Sequence, residues 1–167
     1  NFHDTYKVFP PGVLGARPPL TSSTVTYDQA IGVLAFLLPG MEQQSLRDQI
    51  DVGMDVKWYT SDAKPPAPAN TDGFWTTNSS WNAAETTIGA LLCPSAIQKE
   101  SVGSLFGHTT YCVSAGLGNL TAWNFTGGDN LGHTNYMAVA GGMGRINDTG
   151  WDDWEGLFYN RSTNNLA

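Results

Sequence analysis

Positive charge is scarce in this chain, and so are cysteine and long apolar runs. Eight Lys and Arg stand against fifteen Asp and Glu, a formal net charge of −7 over 167 residues. The eight are scattered, so the basic footprint that a phosphate backbone or an anionic membrane surface needs is missing. Nucleic acid is therefore not an expected partner. No run approaches the ~18 consecutive apolar residues of a bilayer-crossing helix, and no secretory leader is visible. The two cysteines, Cys93 and Cys112, form no Cys-x-x-Cys, which excludes a thioredoxin-type motif and a zinc-knuckle pair. They are either two buried thiols or, in an oxidising compartment, one disulfide. There is no Gly-x-Ser-x-Gly, no Walker loop, no His-Glu-x-x-His and no Gly-x-Gly-x-x-Gly leading a helix. Without a nucleophile–base pair or a metal-ligand constellation, the chain reads as non-catalytic, with no cofactor.

What is present is a neutral polar surface. Charged residues are 14% of the chain, where about 25% is usual. Asn, Thr, Ser and Gly take their place, a composition common outside the cytoplasm. With 41% apolar residues, residues 1–167 suffice for one domain with its own core, without metal or many disulfides. The chain opens without Met at Asn1 and stops at Ala167, and it reads as a fragment of a longer protein.

Helical patterns come early. Residues 1–8 read as a helical remnant that Phe9-Pro10-Pro11-Gly12 must end, because proline disfavours helical geometry in the residue before it. Ile31, Leu34, Ala35 and Leu38 fall at i, i+3, i+4 and i+7, one apolar helix face, with Asp28 as N-cap and Pro39 as the break. A second helix fits Met41 to Ile50, with Met41, Leu46 and Ile50 inward. A third fits Trp81 to Ile88, with Ser80 as N-cap. Between them, 51–80 looks irregular and holds the proline-rich stretch Lys64–Ala69.

Strand-like patterns come late. His108–Gly116 is echoed by His133–Gly141 at an offset of 25, with five of nine positions identical. Both segments read as buried or half-buried strands ending at a glycine. A last strand is expected at Gly156–Tyr159. Helices first and strands after predict an α+β fold, with short helices on one face of an antiparallel sheet and glycine-rich loops between.

Several motifs, in order, carry a resemblance. The opening Asn1-Phe2-His3-Asp4-Thr5-Tyr6-Lys7-Val8-Phe9-Pro10-Pro11-Gly12, then Leu37-Leu38-Pro39-Gly40-Met41-Glu42-Gln43-Gln44, then Leu91-Leu92-Cys93-Pro94-Ser95, then Thr134-Asn135-Tyr136 with Gly141, then Gly156-Leu157-Phe158 are the residues concerned. Together they resemble a large bacterial family, best known from planctomycetes, whose members begin with a type IV pilin-like methylation signal and carry a domain of unknown function. Gly40 stands where that family usually has an aromatic, and the glycine spacing after Tyr136 is altered. The family's N-terminal anchor helix and its C-terminal "DGTSNT" segment are not in this sequence.

The resemblance implies a pilin-like head, extracytoplasmic and held to a membrane through an N-terminal helix. Its implied partners are other pilin-like subunits or the type II secretion machinery. It further implies that residues 1–8 end a long helix packed on a sheet containing 134–140 and 156–159. Phe2, Tyr6 and Phe9 would face that sheet from one stripe. The extracytoplasmic placement favours a Cys93–Cys112 disulfide.

Three features bear on binding. Asp148, Asp152, Asp153 and Glu155 gather around Gly150, hard oxygen donors of the kind that suit calcium. The related pseudopilins often hold calcium in such a region, while the bland alternative is a solvated acidic loop. His108 and His133 take equivalent places in the echoed segments, but no third metal ligand accompanies them. Trp75, Trp81, Trp123, Trp151 and Trp154 lie in polar, turn-like sequence. They either stack on sugar rings, making a membrane-anchored glycan- or solute-binding module, or pin loops to the core. Asn-x-Ser/Thr sequons occur at Asn78, Asn119, Asn124, Asn147 and Asn160, as expected from the composition.

Overall fold

The computed structural model describes residues 2–15, 29–54, 73–96, 105–112, 117–124, 130–141, 150, 152–159, 162 and 164; for 105–112, 117–124 and Asp152 it describes the backbone alone. Its elements are short. Helix α1 spans Phe2–Tyr6 and leads to strand β1, Val13–Leu14. Strand β2, Ile31–Gly32, runs directly into helix α2, Val33–Leu37, and then into a 3₁₀ turn over Leu38–Met41. Helix α3 is Gln44–Gln49 and helix α4 is Asn78–Ala84. Further 3₁₀ turns cover Phe74–Thr76, Gly89–Leu91 and Asp152–Trp154. Strands β3, Leu105–Cys112, and β4, Leu117–Asn124, pair antiparallel from Leu105↔Asn124 to Cys112↔Leu117. The fold is α+β.

Among the described residues, two clusters of buried side chains form a core. Leu14, Ile31, Phe36, Val52 and Met54 form the first, with Phe2, Val8 and Phe74 against its edge. Leu38, Leu46 and Ala83 form the second, with Met41 and Ile88 at its edge. Ala35 and Ile50 touch both. β1 and β2 pair antiparallel, Val13↔Gly32 and Leu14↔Ile31, and this places Leu14, fully buried, at the centre of the first cluster.

The helix boundaries follow local chemistry. α2 begins at Val33 rather than near Asp28, because Ile31 and Gly32 are taken up by strand pairing and Gly32 becomes the N-cap. Pro39 opens the 3₁₀ turn, where its missing N–H is no loss. That turn closes on Glu42 in the left-handed region, φ 61°, as the Gln43 amide donates to the Leu38 carbonyl at 2.9 Å. A left-handed residue with a side chain costs roughly 1 kcal/mol. In α3 the inward residue is Leu46, with Met41 and Ile50 partly buried beside it, as the pattern predicts. α4 starts at Asn78 with Thr77 as N-cap, so Ser80 sits inside the helix instead of capping it.

Two strand expectations are corrected. Residues 134–140 and 156–159 are not strands, although an antiparallel bridge joins Gly141 to Glu155. The cause lies at Thr134. Its hydroxyl accepts the Tyr136 amide at 3.0 Å and turns back on the Tyr136 carbonyl, a local turn that removes ladder groups from the backbone. The apolar side chains that suggested burial point outward, Met137 at 87% exposure and Val139 at 68%. The echo between 108–116 and 133–141 is thus not structural: Leu105–Cys112 is a strand and 133–141 is an exposed, irregular run.

The N-terminal expectation is corrected in part. α1 is helical, but Phe2 packs edge-on against Phe36 of α2, ring centroids 6.1 Å apart, rather than on a sheet. Tyr6 stays half exposed, and Phe9, beyond the helix, packs edge-on against Phe158. Asp28 and the proline-rich stretch Lys64–Ala69 lie outside the described residues.

Candidate functional site

The motifs behind the resemblance meet in pairs. Thr134-Asn135-Tyr136 clasps Leu91-Leu92-Cys93: the Asn135 amide donates to the Leu91 carbonyl at 3.0 Å, and the Asn135 side-chain oxygen accepts the Cys93 amide at 2.7 Å. One residue thereby satisfies an orphan carbonyl and an orphan amide at the end of a 3₁₀ turn. Upstream, the Gly132 amide donates to the Ala84 carbonyl at 2.7 Å, at the C-terminal end of α4. A side chain at Gly132 would collide with the Thr86 carbonyl, so the approach requires glycine. The opening motif is tied in the same way to residues just after the late one. The Phe9 amide donates to the Asn164 carbonyl at 2.8 Å, and the Gly12 amide donates to the Tyr159 carbonyl at 3.0 Å.

Gly132–Thr134, leading into the clasp, roofs a cavity of about 230 Å³, bounded also by α2, α3 and α4. It lies where the two core clusters adjoin, since Ala35 and Ile50 line it and belong to the edge of both. Its floor is aliphatic, with Leu38, Leu46 and Ala83 buried. Gly32, Thr86, His133 and Thr134 are the exposed residues of its lining and mark the rim. Ala30 enters the wall with φ 51°, its amide donating to the Leu14 carbonyl at 2.8 Å. Dry and closed, a gap of this size would forfeit on the order of 5 kcal/mol of packing, and aliphatic walls give water few partners.

The hydroxyl groups of the lining are committed elsewhere. Ser80 accepts the Asp51 amide at 2.9 Å and the Thr77 hydroxyl at 2.8 Å. The Thr86 hydroxyl donates to the Asn82 carbonyl at 3.2 Å. His133 differs, for its imidazole makes no hydrogen bond to another described residue.

Asp148 lies outside the described residues, and so does the side chain of Asp152. Asp153 is exposed and Glu155 half-buried in the bridge to Gly141. Among the described residues no group of three His, Cys, Asp or Glu is placed to hold a metal ion. Cys93 is a half-buried thiol, while the side chain of Cys112 lies outside the described residues, as does the expected pairing of the two. The side chain of His108, and with it the His108–His133 pair, lies outside as well.

Trp75 and Trp81 are half-buried. Trp81 stacks on Phe74 at 6.1 Å, and its indole N–H donates to the Glu85 carboxylate at 2.8 Å. Pinning of this kind leaves Trp81 little face for a sugar. Trp154 is 70% exposed, and the side chain of Trp123 and all of Trp151 lie outside the described residues. Among the described residues no helix is long and apolar enough to cross a membrane.

The residues that sequence reasoning missed are Ala35 and Gly132, while His133 stood out only as one of a conceivable metal pair with His108 and not as part of a cavity. Ala35 was read only as part of an apolar face, and nothing in the letters marks a gap between two clusters.

No curated protein and no solved structure matches the chain. Residues 1–158 match a family described as "Protein of unknown function (DUF1559)", and the chain belongs to that family.

Proposed function

We propose that this chain is the extracytoplasmic head of a non-catalytic structural subunit in a pilus-like or pseudopilus-like surface assembly. In the full protein the head would be carried on a membrane-anchoring helix that runs into α1. The carrying observation is the seating of Phe2. Its ring packs edge-on against Phe36, 87° between planes, and joins the edge of the first core cluster. The next residues are held by the Phe9–Asn164 and Gly12–Tyr159 hydrogen bonds, so α1 is fixed at both ends. A helix seated in this way passes its orientation to the whole head, which an assembling subunit needs.

A second feature agrees. Tyr136, Met137, Val139, Trp154 and Leu157 are exposed, and the hydrogen bonds Gly156–Ala140 and Phe158–Val139 hold their two segments side by side. An apolar ridge of that kind supports the reading of a contact surface.

Fractionation of the full-length protein tests the proposal. It should travel with membranes or with sheared surface fibres, while residues 1–167 alone stay monomeric and soluble. Recovery of the full-length protein solely as a free secreted monomer would sink the assembly reading. It would leave the second reading, a displayed solute-binding module, which the cavity favours.

A further inference from the structure

We propose that the cavity roofed by Gly132–Thr134 binds a small neutral molecule with an aromatic or branched-aliphatic body and one hydroxyl end. The site goes beyond assembly, since a pocket inside the head neither needs nor prevents a filament.

Size comes first. A dry apolar cavity of about 150 Å³ accepts benzene, so the 230 Å³ here suits a ring with one or two substituents. Shape comes second. Ala35 and Ala84 line the cavity and are only half-buried. Their small side chains leave the space between the two clusters open to an occupant that enters from the exposed rim.

Polarity comes third. The hydroxyls of Ser80, Thr86 and Thr134 already hold partners. His133, at the rim, has none among the described residues, and a neutral imidazole offers one donor and one acceptor, matching a hydroxyl. The chain's net charge of −7, with no Lys or Arg among the residues of the cavity wall, disfavours a carboxylate.

The test is calorimetric titration of the 167-residue chain with p-cresol, toluene and p-toluate, with methyl NMR on the same samples. p-Cresol should bind saturably at one site and shift the methyls of Ile50, Ile88 and Leu91. Toluene should bind about fivefold more weakly, and p-toluate weaker still. His133→Ala should remove the preference for p-cresol over toluene and leave toluene unchanged. Ala35→Leu fills the gap and should cost at least about tenfold in affinity for both. Ala84→Leu is the second filling variant should Ala35→Leu fold poorly, as judged by circular dichroism. The methyl shifts of the unmutated chain locate the probe without either variant. Absence of saturable binding, shifts confined to other methyls, or p-toluate binding tightest would overturn the proposal.

Discussion

The Gly12 amide donates to the Tyr159 carbonyl across 147 positions of chain, at 3.0 Å. The Gly12 carbonyl accepts the Val33 amide at 2.9 Å, so this one residue ties the opening segment to both α2 and the end of the chain. A Cβ here would collide with the Phe158 carbonyl oxygen, and the colliding atom is backbone. Gly12→Ala should therefore cost about 2–3 kcal/mol, read as a lower urea midpoint with unchanged slope. Gly40→Ala is the control. It meets open space, and its effect should stay within about 0.5 kcal/mol.

Ser80 is the second point of stability. It is 2% exposed and joins α4 to the chain after α3 through the Asp51 amide. Ser80→Ala removes that acceptor in a place where little water can substitute, at a cost of about 1–3 kcal/mol. Its exposed neighbour Ser79, changed to Ala, should shift stability by less than about 0.5 kcal/mol. Equal thermal midpoints for the two variants would remove Ser80 from the core's hydrogen-bonded frame.

Legibility in the sequence followed the kind of signal. Helical spacing found the inward face of α3 at Leu46 because local periodicity and burial agreed there. It failed at Asp28, because β1 captured Ile31 and Gly32, a long-range pairing that no local pattern records. It failed again at 134–140, where Tyr136, Met137 and Val139 spell a strand but Thr134 bends the chain into a turn. The ordered motifs were visible as letters. Their meaning, that Asn135 clasps Leu91 and Cys93 and that Gly12 meets Tyr159, needed three dimensions. The cavity was the least legible feature, since Ala35 in a helix face reads the same whether the space beside it is filled or open.

The extracytoplasmic placement proposed here has a chemical consequence for Cys93 and Cys112. An oxidising compartment favours closing them into one disulfide. In protein collected from the cell surface without reductant, Cys93 and Cys112 should then resist alkylation, read peptide by peptide in a mass spectrum, and both should be alkylated after reduction. Alkylation of both before reduction would count against the pairing.

The apolar ridge separates contact from folding. Met137 and Val139 are exposed, so Met137→Lys or Val139→Lys should leave the thermal midpoint of the head nearly unchanged, within about 0.5 kcal/mol. In the full-length protein each should sharply reduce the sheared-fibre fraction, because a subunit contact would have to bury the new ammonium unpaired. Unchanged fibre yield in both variants would show that the ridge is not a contact between subunits.

Phe2 and Tyr6 give the sharpest test of how the head is carried. Their rings lie 4.5 Å apart on one side of α1, yet only Phe2 reaches the core, while Tyr6 remains 51% exposed. Truncating a fully buried Phe costs about 3–5 kcal/mol. Phe2 is half-buried, so Phe2→Ala should cost roughly half as much, and Tyr6→Ala should be close to neutral in the isolated head. The two variants should then exchange ranks in the full-length protein. Phe2→Ala loosens the seat of α1 and should leave the protein in the membrane fraction with its head readily released by protease. Tyr6→Ala keeps the seat but removes the ring that a neighbouring subunit would cover, and should lower fibre yield without raising protease release. The paired readout of protease release and fibre yield distinguishes a carried head from one that merely happens to begin with a helix. If neither variant changes either readout, α1 does not couple head to anchor, and the assembly proposal fails with it.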